Sequence, residues 1–246
     1  MNSGVAMVGS GEAAFFDLDK TIITKAALGA FGKPLLDAGL VDRRLVVIAA
    51  YRNLLFEHLG ASEARMDKMR AAGLRLIEGW DAALITAIVR DTLVDRLAPL
   101  VYPQAQALLD THRAAGRRLF LVSASPTEIV EPVAEHLGMD EVICSRAAVD
   151  ERGRYTGVAF WSSGEHKAVA VRAAADRLGL DLERCFAYSD SATDLPLLGC
   201  VGHPVAVNPD RALARVARTR GWPIERFTAP RRSRSAVGRP TPARVA

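Results

Sequence analysis

The chain contains 246 residues, of which 50% are hydrophobic and 24% charged, a composition typical of a globular protein with a sizeable core. Its three cysteines, Cys144, Cys185 and Cys200, are too few and too scattered for a disulfide framework or a four-ligand zinc site. Residues 1–12 lack the basic start and apolar core of a signal peptide, and the longest apolar stretch, residues 45–50, is too short to span a bilayer. We therefore expect a cytoplasmic protein without a transmembrane segment.

The net charge of +4 is divided unevenly along the chain. Residues 211–246 contain ten arginines and a single acid, Glu225, and so carry +9, which leaves −5 for residues 1–210. Residues 229–246 have the composition of a disordered basic tail that could contact an anionic surface weakly. Nothing in this pattern indicates a specific nucleic-acid partner.

The first predicted element is a short buried strand, residues 13–17, which runs into Asp17-Leu18-Asp19-Lys20-Thr21. Because side chains alternate along an extended backbone, Asp17 and Asp19 leave the end of the strand on the same side. Two carboxylates so close together indicate either a bound divalent cation or unequal pKa values that make one a nucleophile and the other an acid. The simpler alternative is a strand that runs into a turn, with Thr21 capping the next segment of the chain.

Between residues 24 and 99 the sequence predicts only helices. Apolar residues recur at helical spacing within residues 35–59, which close at Gly60, and Ser62 is suited to cap a second helix that runs toward Glu78. Asp81 is suited to start a third helix, which ends before Pro99. We therefore predict that residues 24–99 form an all-helical cap inserted into the chain.

Beyond Pro103 helices alternate with short apolar strands. Helices are predicted at residues 103–115, 126–137, 164–178 and 209–220, strands at residues 118–122, 142–144, 184–188 and 205–207, and a hairpin within residues 149–158. Such alternation is typical of an α/β fold with a doubly wound, Rossmann-like parallel sheet that helices cover on both faces. Residues 1–23 and 100–228 are predicted to form this core.

Polar side chains follow several of these strands, at the edge where open parallel sheets hold their ligands. Ser123 lies immediately before a predicted helix start, where backbone N–H groups favour an anion, and Ser125 is better placed to cap that helix. Asp190 and Asp194 follow a later strand, and together with the two carboxylates of the first strand they form the oxygen-rich cluster that Mg²⁺ prefers. Lys167 lies at the start of a helix, where the dipole disfavours a cation unless an anion or carboxylate pairs with it.

These residues resemble a known pattern. Asp17-Leu18-Asp19-Lys20-Thr21, Ser123, Lys167 and Asp190-Ser191-Ala192-Thr193-Asp194, in that order, are similar to the four motifs of the haloacid dehalogenase (HAD) superfamily of hydrolases. The helical insertion between the first and second motifs resembles the cap of the phosphoserine-phosphatase-like branch, subfamily IB. The resemblance covers roughly residues 13–220, nearly all of the part predicted to fold.

The resemblance implies that Asp17 is the nucleophile, which takes up a phosphoryl group as an aspartyl phosphate. It implies that Asp19 is the acid that protonates the leaving group and the base that then activates water. Mg²⁺ would be held by the carboxylates of Asp17 and Asp190 and by the backbone carbonyl of Asp19.

The remaining motif residues are assigned by the same resemblance. Ser123, the N–H of Ala124 and the ammonium of Lys167 would bind the phosphoryl oxygens. Asp194 would orient Lys167 or a metal-bound water. Thr21 and Thr193 would have supporting roles.

The chain departs from this pattern in two places. Phosphoserine phosphatases of this kind carry a glutamate shortly after the first motif, which receives the amino group of the substrate. The corresponding place, near Lys25, Ala26 and Ala27, has no acid, so free phosphoserine is expected to be a poor substrate, whereas Lys25 suits an anionic one. Thr193 stands where those enzymes usually have an asparagine, which leaves a hydroxyl able to contact the acidic cluster.

The sequence therefore predicts a Mg²⁺-dependent phosphomonoesterase that acts on a small phosphorylated metabolite other than phosphoserine. Two alternatives stay open: a catalytically silent module of the same fold that binds a partner, and phosphoryl transfer to an acceptor other than water. A nucleotide-binding Rossmann enzyme is not supported, because no glycine-rich turn follows the first strand. The sequence defines neither the substrate nor the oligomeric state.

Overall fold

A seven-stranded sheet in the order β4-β3-β2-β1-β5-β6-β7 forms the centre of the computed structural model, which describes residues 11–40 and 78–230. The strands are β1 (Ala13–Asp17), β2 (Arg118–Pro126), β3 (Glu141–Val149), β4 (Tyr155–Phe160), β5 (Phe186–Ser189), β6 (His203–Val207) and β7 (Ile224–Glu225). Neighbouring strands are parallel except β3 and β4, which form an antiparallel hairpin. The sheet and its helices confirm the predicted α/β fold.

The described helices lie between and after these strands, and several of them begin or end where the sequence carries the usual signals. They are α1 (Ala27–Asp37), α2 (Ala82–Leu97), α3 (Pro103–Ala114), α4 (Thr127–Leu137), α5 (Glu165–Leu178), α6 (Leu195–Leu198) and α7 (Arg211–Arg220), with 3-10 turns at Ala98–Leu100, Leu182–Arg184 and Ala192–Asp194. The side chains of Asp81 and Asp210 cap the starts of α2 and α7. Gly138, Gly179 and Gly221 end α4, α5 and α7 in the left-handed conformation.

Helices cover both faces of the sheet, and each face has its own apolar core. Ala14 and Phe16 of β1 point into the core that α1 to α4 complete. Ala13 and Phe15 point into the opposite core, beneath α5, α6 and α7. Burial on both faces explains why β1 is a continuous apolar run and not an alternating pattern.

The start of α4 differs from the prediction. Strand β2 does not end at residue 122 but continues to Pro126, with a register shift against β3 between Ser123 and Pro126. Pro126 takes the N-cap position of α4, and no side chain caps this helix. Ser123 therefore does not lie immediately before the helix, and Ser125 does not cap it, because the extended Pro126 delays the first helical turn to Thr127.

Within the described part of residues 24–99, the secondary-structure elements are helices. The helix predicted within residues 35–59 is wrong at its start, because α1 already ends at Asp37 and a turn follows at Gly39, whose φ is 73°. The remainder of that helix and the helix predicted from Ser62 lie outside the described residues, as does the tail from residue 231. The third helix is confirmed as α2. The boundaries of core, cap and tail stay predictions.

The chain enters and leaves this insertion through adjacent segments. The N–H of Thr24 donates to the carbonyl of Leu100 at 2.9 Å, and the N–H of Tyr102 donates to the carbonyl of Ile22 at 2.9 Å. The insertion also contacts the β3–β4 hairpin, because the N–H of Gly79 donates to the carbonyl of Tyr155 at 2.8 Å. None of the helices within residues 11–40 and 78–230 combines the length and apolar character needed to cross a membrane.

Candidate active site

The strand register brings the predicted motifs to one edge of the sheet. Asp17, the last residue of β1, pairs with Val122 of β2, so Ser123 lies one residue beyond it on the neighbouring strand. On the other side Phe16 pairs with Tyr188, which places Ser189 and the loop after β5 next to Asp17. The C-terminal end of β1 is therefore flanked by the second and fourth motifs.

Lys167 joins two of these motifs through buried ion pairs. Its Nζ donates to Asp17 Oδ1 at 2.7 Å and to Asp194 Oδ2 at 2.8 Å, and its side chain is only 3% exposed. Burial alone lowers the pKa of Lys167, but the carboxylates of Asp17 and Asp194 outweigh it and raise the pKa above its usual value. The ammonium therefore stays charged next to Asp17.

The carboxylates at the C-terminal edge of the sheet together carry more negative charge than Lys167 neutralises. Burial raises the pKa of Asp17 well above its usual value against the opposing effect of Lys167, and the neighbouring carboxylates raise it further. Burial, followed by the charge of Asp194, raises the pKa of Asp190 to about 7. A hard divalent cation would relieve this repulsion, so the donor chemistry fits Mg²⁺. Among residues 11–40 and 78–230 no group of three or more His, Cys, Asp or Glu side chains forms a metal site by itself. The predicted ligand set has two carboxylates and one backbone carbonyl.

Asp19 connects the sheet edge to the first helix of the insertion. Its Oδ1 accepts from the N–H of Ala27 at 2.6 Å and so caps α1, whose own N-cap residue, Ala26, supplies no side-chain bond. Its Oδ2 accepts from the hydroxyl of Ser125 at 3.5 Å. Burial raises the pKa of Asp19, which favours the protonated form that a general acid needs.

The second motif is held in place by hydrogen bonds to neighbouring serines. Ser123 is buried, and its Oγ accepts from the N–H of Ser125 at 3.1 Å. Ala124 is exposed, and its carbonyl accepts from the hydroxyl of Ser145 at 2.8 Å. The hydroxyl of Ser145 therefore fixes the backbone of the residue whose N–H is predicted to bind phosphate.

The structure gives the two threonines of the first and fourth motifs different surroundings. Thr193 donates its hydroxyl proton to Ser191 Oγ at 3.1 Å, so a local turn takes up this proton and the acidic cluster does not. Thr21 is 1% exposed, and its Oγ1 has no hydrogen-bond partner among the described residues. The simpler alternative, in which Thr21 caps the segment after the strand, is therefore wrong, and Asp19 provides that cap.

Sequence reasoning missed two serines that donate hydrogen bonds to the carboxylates of Asp19 and Asp194. Ser125 bonds to Asp19, and the buried Ser189 donates its hydroxyl to Asp194 Oδ2 at 2.8 Å. Their only sequence signal is a position next to a motif residue, and serine at a strand end is equally compatible with a local turn.

Comparison with known proteins identifies the family. The sequence model of the haloacid dehalogenase-like hydrolases matches residues 14–199. The chain belongs to this family. The match includes all four predicted motifs and confirms the resemblance seen in the sequence.

Named proteins of similar sequence include phosphatases. The "Inhibition of morphological differentiation protein" of Streptomyces azureus is 46% identical over 92% of this chain and 82% of its own length. A "Probable phosphatase" of Mycobacterium tuberculosis is 46% identical over 95% of this chain and 82% of its own. A "Phosphoserine phosphatase" of the same organism is 34% identical over 93% of this chain and 75% of its own.

Solved structures share the fold. A protein of unknown function from Bordetella pertussis has a TM-score of 0.74 and 26% identity, over 87% of this chain and 97% of that one. A phosphoserine phosphatase in apo form has a TM-score of 0.58 at 18% identity, over 82% of this chain and 89% of that one. The second likeness confirms the fold and carries no information on the substrate.

Proposed function

We propose that the protein is a cytoplasmic, Mg²⁺-dependent phosphatase that hydrolyses a small phosphomonoester through a phosphorylated Asp17. The observation that carries the proposal is the buried Lys167, whose Nζ lies between Asp17 and Asp194 at the edge that also holds Ser123. A carboxylate that attacks a phosphate needs fixed positive charge beside it, because nucleophile and substrate are both anionic. The named relatives support the same class of reaction.

The reaction proceeds in two displacements. In the first, an oxygen of Asp17 attacks phosphorus, the bond to the ester oxygen breaks, and Asp19 gives its proton to the departing alkoxide. In the second, the Asp19 carboxylate takes a proton from water, and the water oxygen attacks the phosphorus of the aspartyl phosphate. The bond between phosphorus and Asp17 then breaks and inorganic phosphate leaves.

The other residues hold the phosphoryl group in line with Asp17. Ser123, the N–H of Ala124 and the ammonium of Lys167 bind its oxygens, and Asp194 keeps Lys167 in position. The carboxylates of Asp17 and Asp190 and the carbonyl of Asp19 would hold Mg²⁺, which would neutralise part of the charge of the phosphate.

The substrate is proposed to lack an ammonium group close to the ester. Ala26 immediately precedes α1, and residues 25–27 carry no carboxylate that could receive the amino group of a substrate. Lys25 is exposed and adds a positive charge nearby. A buried ammonium without a carboxylate costs several kcal/mol of binding free energy.

Phosphate release from a substrate panel tests the proposal. Sugar phosphates, nucleotides, phosphoserine and other phosphorylated amino acids are compared with Mg²⁺ and with EDTA. We expect Mg²⁺-dependent release, better catalytic efficiency for an anionic phosphomonoester than for phosphoserine, and a phosphorylated peptide containing Asp17 by mass spectrometry after acid quenching. Asp17→Asn should abolish release and labelling and leave the melting temperature close to wild type, whereas the surface variant Asp37→Asn should change none of them.

The alternatives predict different results. Transfer to an added alcohol in preference to water would favour a phosphotransferase. Wild-type protein that neither releases phosphate from any panel member nor becomes phosphorylated would favour the binding module. A clear preference for phosphoserine would contradict the substrate exclusion.

A further inference from the structure

Asp210 links the fourth motif to the start of α7. As the N-cap of α7 it accepts from the N–H of Leu213 with Oδ1 at 2.7 Å. With Oδ2 it accepts from the N–H of Ala192 at 2.9 Å and from the hydroxyl of Ser191 at 3.4 Å. Its own N–H donates to the carbonyl of Asp190 at 2.8 Å. One residue therefore holds the loop after β5 at three consecutive positions.

We infer that Asp210 is a positioning residue that fixes the loop carrying Asp190 and Asp194 and thereby sets the affinity of the site for Mg²⁺. The inference rests on the proposed function, because it concerns the metal site of that function. Asp210 acts through the backbone of the loop and is assigned no contact with substrate or metal.

Capping alone does not explain an aspartate at this position. Serine and asparagine cap helices as well as aspartate does, and each needs only one oxygen for the task. Asp210 uses its second oxygen for the loop, and among the residues that favour the N-cap position only aspartate offers two separate acceptor oxygens. The side chain is therefore matched to two elements at once.

The position of Asp210 also opposes the repulsion between the carboxylates at the edge of the sheet. Asp190 and Asp194 lie beside Asp17 and repel it, so without a restraint the loop would relax away from the sheet edge before metal binds. A further carboxylate near this cluster is tolerated because the positive end of α7 and two backbone N–H groups face it. Ser189 and Lys167 hold Asp194 from the buried side, and Asp210 holds the opposite side of the loop.

Two variants remove the hydrogen bond between the side chain of Asp210 and the N–H of Ala192, one from each partner. Asp210→Ser keeps an oxygen for the N–H of Leu213, but its shorter side chain cannot reach Ala192. Ala192→Pro removes the donor from the loop and leaves Asp210 intact, and proline suits the first position after the extended Ser191. The matched control is Asp181→Ser, because Asp181 also caps a helical turn, accepts from the N–H of Glu183 at 3.1 Å, and lies at the other end of β5.

Mg²⁺ binding is measured by isothermal titration calorimetry, and thermal unfolding is measured in EDTA. We expect the Kd for Mg²⁺ to rise about tenfold in Asp210→Ser and Ala192→Pro, the usual effect of losing a group that orients a metal ligand. Turnover should recover at high Mg²⁺, the melting temperature in EDTA should stay close to wild type, and Asp181→Ser should bind Mg²⁺ normally.

The possible failures are distinguishable. Wild-type affinity in both loop variants overturns the role of Asp210 and leaves the proposed function intact. An equal loss in Asp181→Ser overturns it as well, because the effect would then belong to any helix cap. Wild-type protein that binds no Mg²⁺ overturns both the proposed function and this inference. If Asp210→Ser does not fold, the affinity of Ala192→Pro decides.

Discussion

At the scale of single residues, Lys167 determines whether the buried carboxylates of the site can coexist. It is the side chain that contacts both Asp17 and Asp194, and all three are buried. A buried pair adds little net stability, because desolvation offsets the attraction, but removing one partner is costly, since the remaining charge is left in a low-dielectric interior.

Lys167→Met should therefore reduce the free energy of unfolding by about 3–5 kcal/mol at pH 7.5, measured by urea denaturation in EDTA. Part of the loss should be recovered at pH 5, because unpaired buried carboxylates have raised pKa values and take up protons as the pH falls. The double variant Lys167→Met/Asp194→Asn, which removes one of the stranded charges, should be more stable than the single variant. Equal stability of the two variants would show that Asp194 is adequately solvated without Lys167.

Asp19 provides a second test at this scale. Asp19→Asn keeps an oxygen for the N–H of Ala27 but cannot donate or accept the catalytic proton. We expect kcat for an alkyl phosphate to fall by about 10²–10⁴-fold. The kcat for an activated aryl phosphate should fall less, because its leaving group needs no proton. Initial rates with both substrates measure this difference. Equal losses would assign Asp19 a structural role as the cap of α1.

At the scale of elements, the start of α5 determines where Lys167 lies. Gly164 precedes the helix with φ 57° and ψ −129°, a conformation that side chains with a Cβ strongly avoid. Gly179 ends the same helix with φ 64° and ψ 37°, in the left-handed region. The two glycines therefore flank the same helix, and the first lies three residues from Lys167.

Gly164→Ala and Gly179→Ala should each destabilise the protein by about 1–3 kcal/mol, because alanine is strained in both conformations. Gly164→Ala should also lower kcat by about tenfold or more, since a small shift of Lys167 misplaces its charge. Gly179→Ala should leave kcat unchanged. Urea unfolding and initial rates separate the two effects, and equal kcat values would show that α5 tolerates a new start without moving Lys167.

The same elements show how far sequence reasoning extends. Asp17, Asp190 and Asp194 could be predicted because each lies at or shortly after the end of a strand, and parallel strands end at a common edge. Lys167 could be identified because a cation is unfavourable at a helix start, and the structure pairs it with two carboxylates. The bonds of Ser125, Ser189 and Asp210 could not be predicted, because small polar residues have many local partners and tertiary packing selects among them.

Element boundaries were less predictable than element types. Pro126 was expected inside the first turn of α4, where proline is common, but the register shift in β2 leaves it extended. Strand β7 was missed, because its two residues, Ile224 and Glu225, are too few for a periodic signal. Both errors arise where pairing with a neighbouring strand overrides the local pattern.

At the scale of the whole molecule, a buried histidine makes stability depend on pH. His112 of α3 is 2% exposed, and its Nε2 lies 2.8 Å from the hydroxyl of Tyr188. The guanidinium of Arg117 faces Nδ1 at 3.4 Å, and because arginine only donates, Nδ1 accepts and Nε2 carries the proton. Burial, followed by the charge of Arg117, lowers the pKa of His112 to about 4.

A histidine whose pKa is lower in the folded state than in the unfolded state stabilises the protein at pH values above its unfolded pKa of about 6.5. This stabilisation is lost as the pH falls toward the folded pKa of about 4. Between pH 7.5 and pH 5.5 the free energy of unfolding should therefore fall by about 1 kcal/mol more in wild type than in His112→Gln, which cannot titrate. Urea unfolding of both proteins in EDTA at the two pH values measures the difference. Identical pH dependence would show that His112 titrates normally.

The backbone pairing of residues 22–24 with residues 100–102 has a consequence for how such a protein can change. Thr24 bonds to Leu100 and Tyr102 to Ile22, so the chain departs from the sheet and returns to it at almost the same place. Any other segment whose two ends lie side by side could be grafted there without redirecting β1 or β2. One continuous stretch of the gene can therefore be exchanged for another, while the side chains at the strand ends keep their positions.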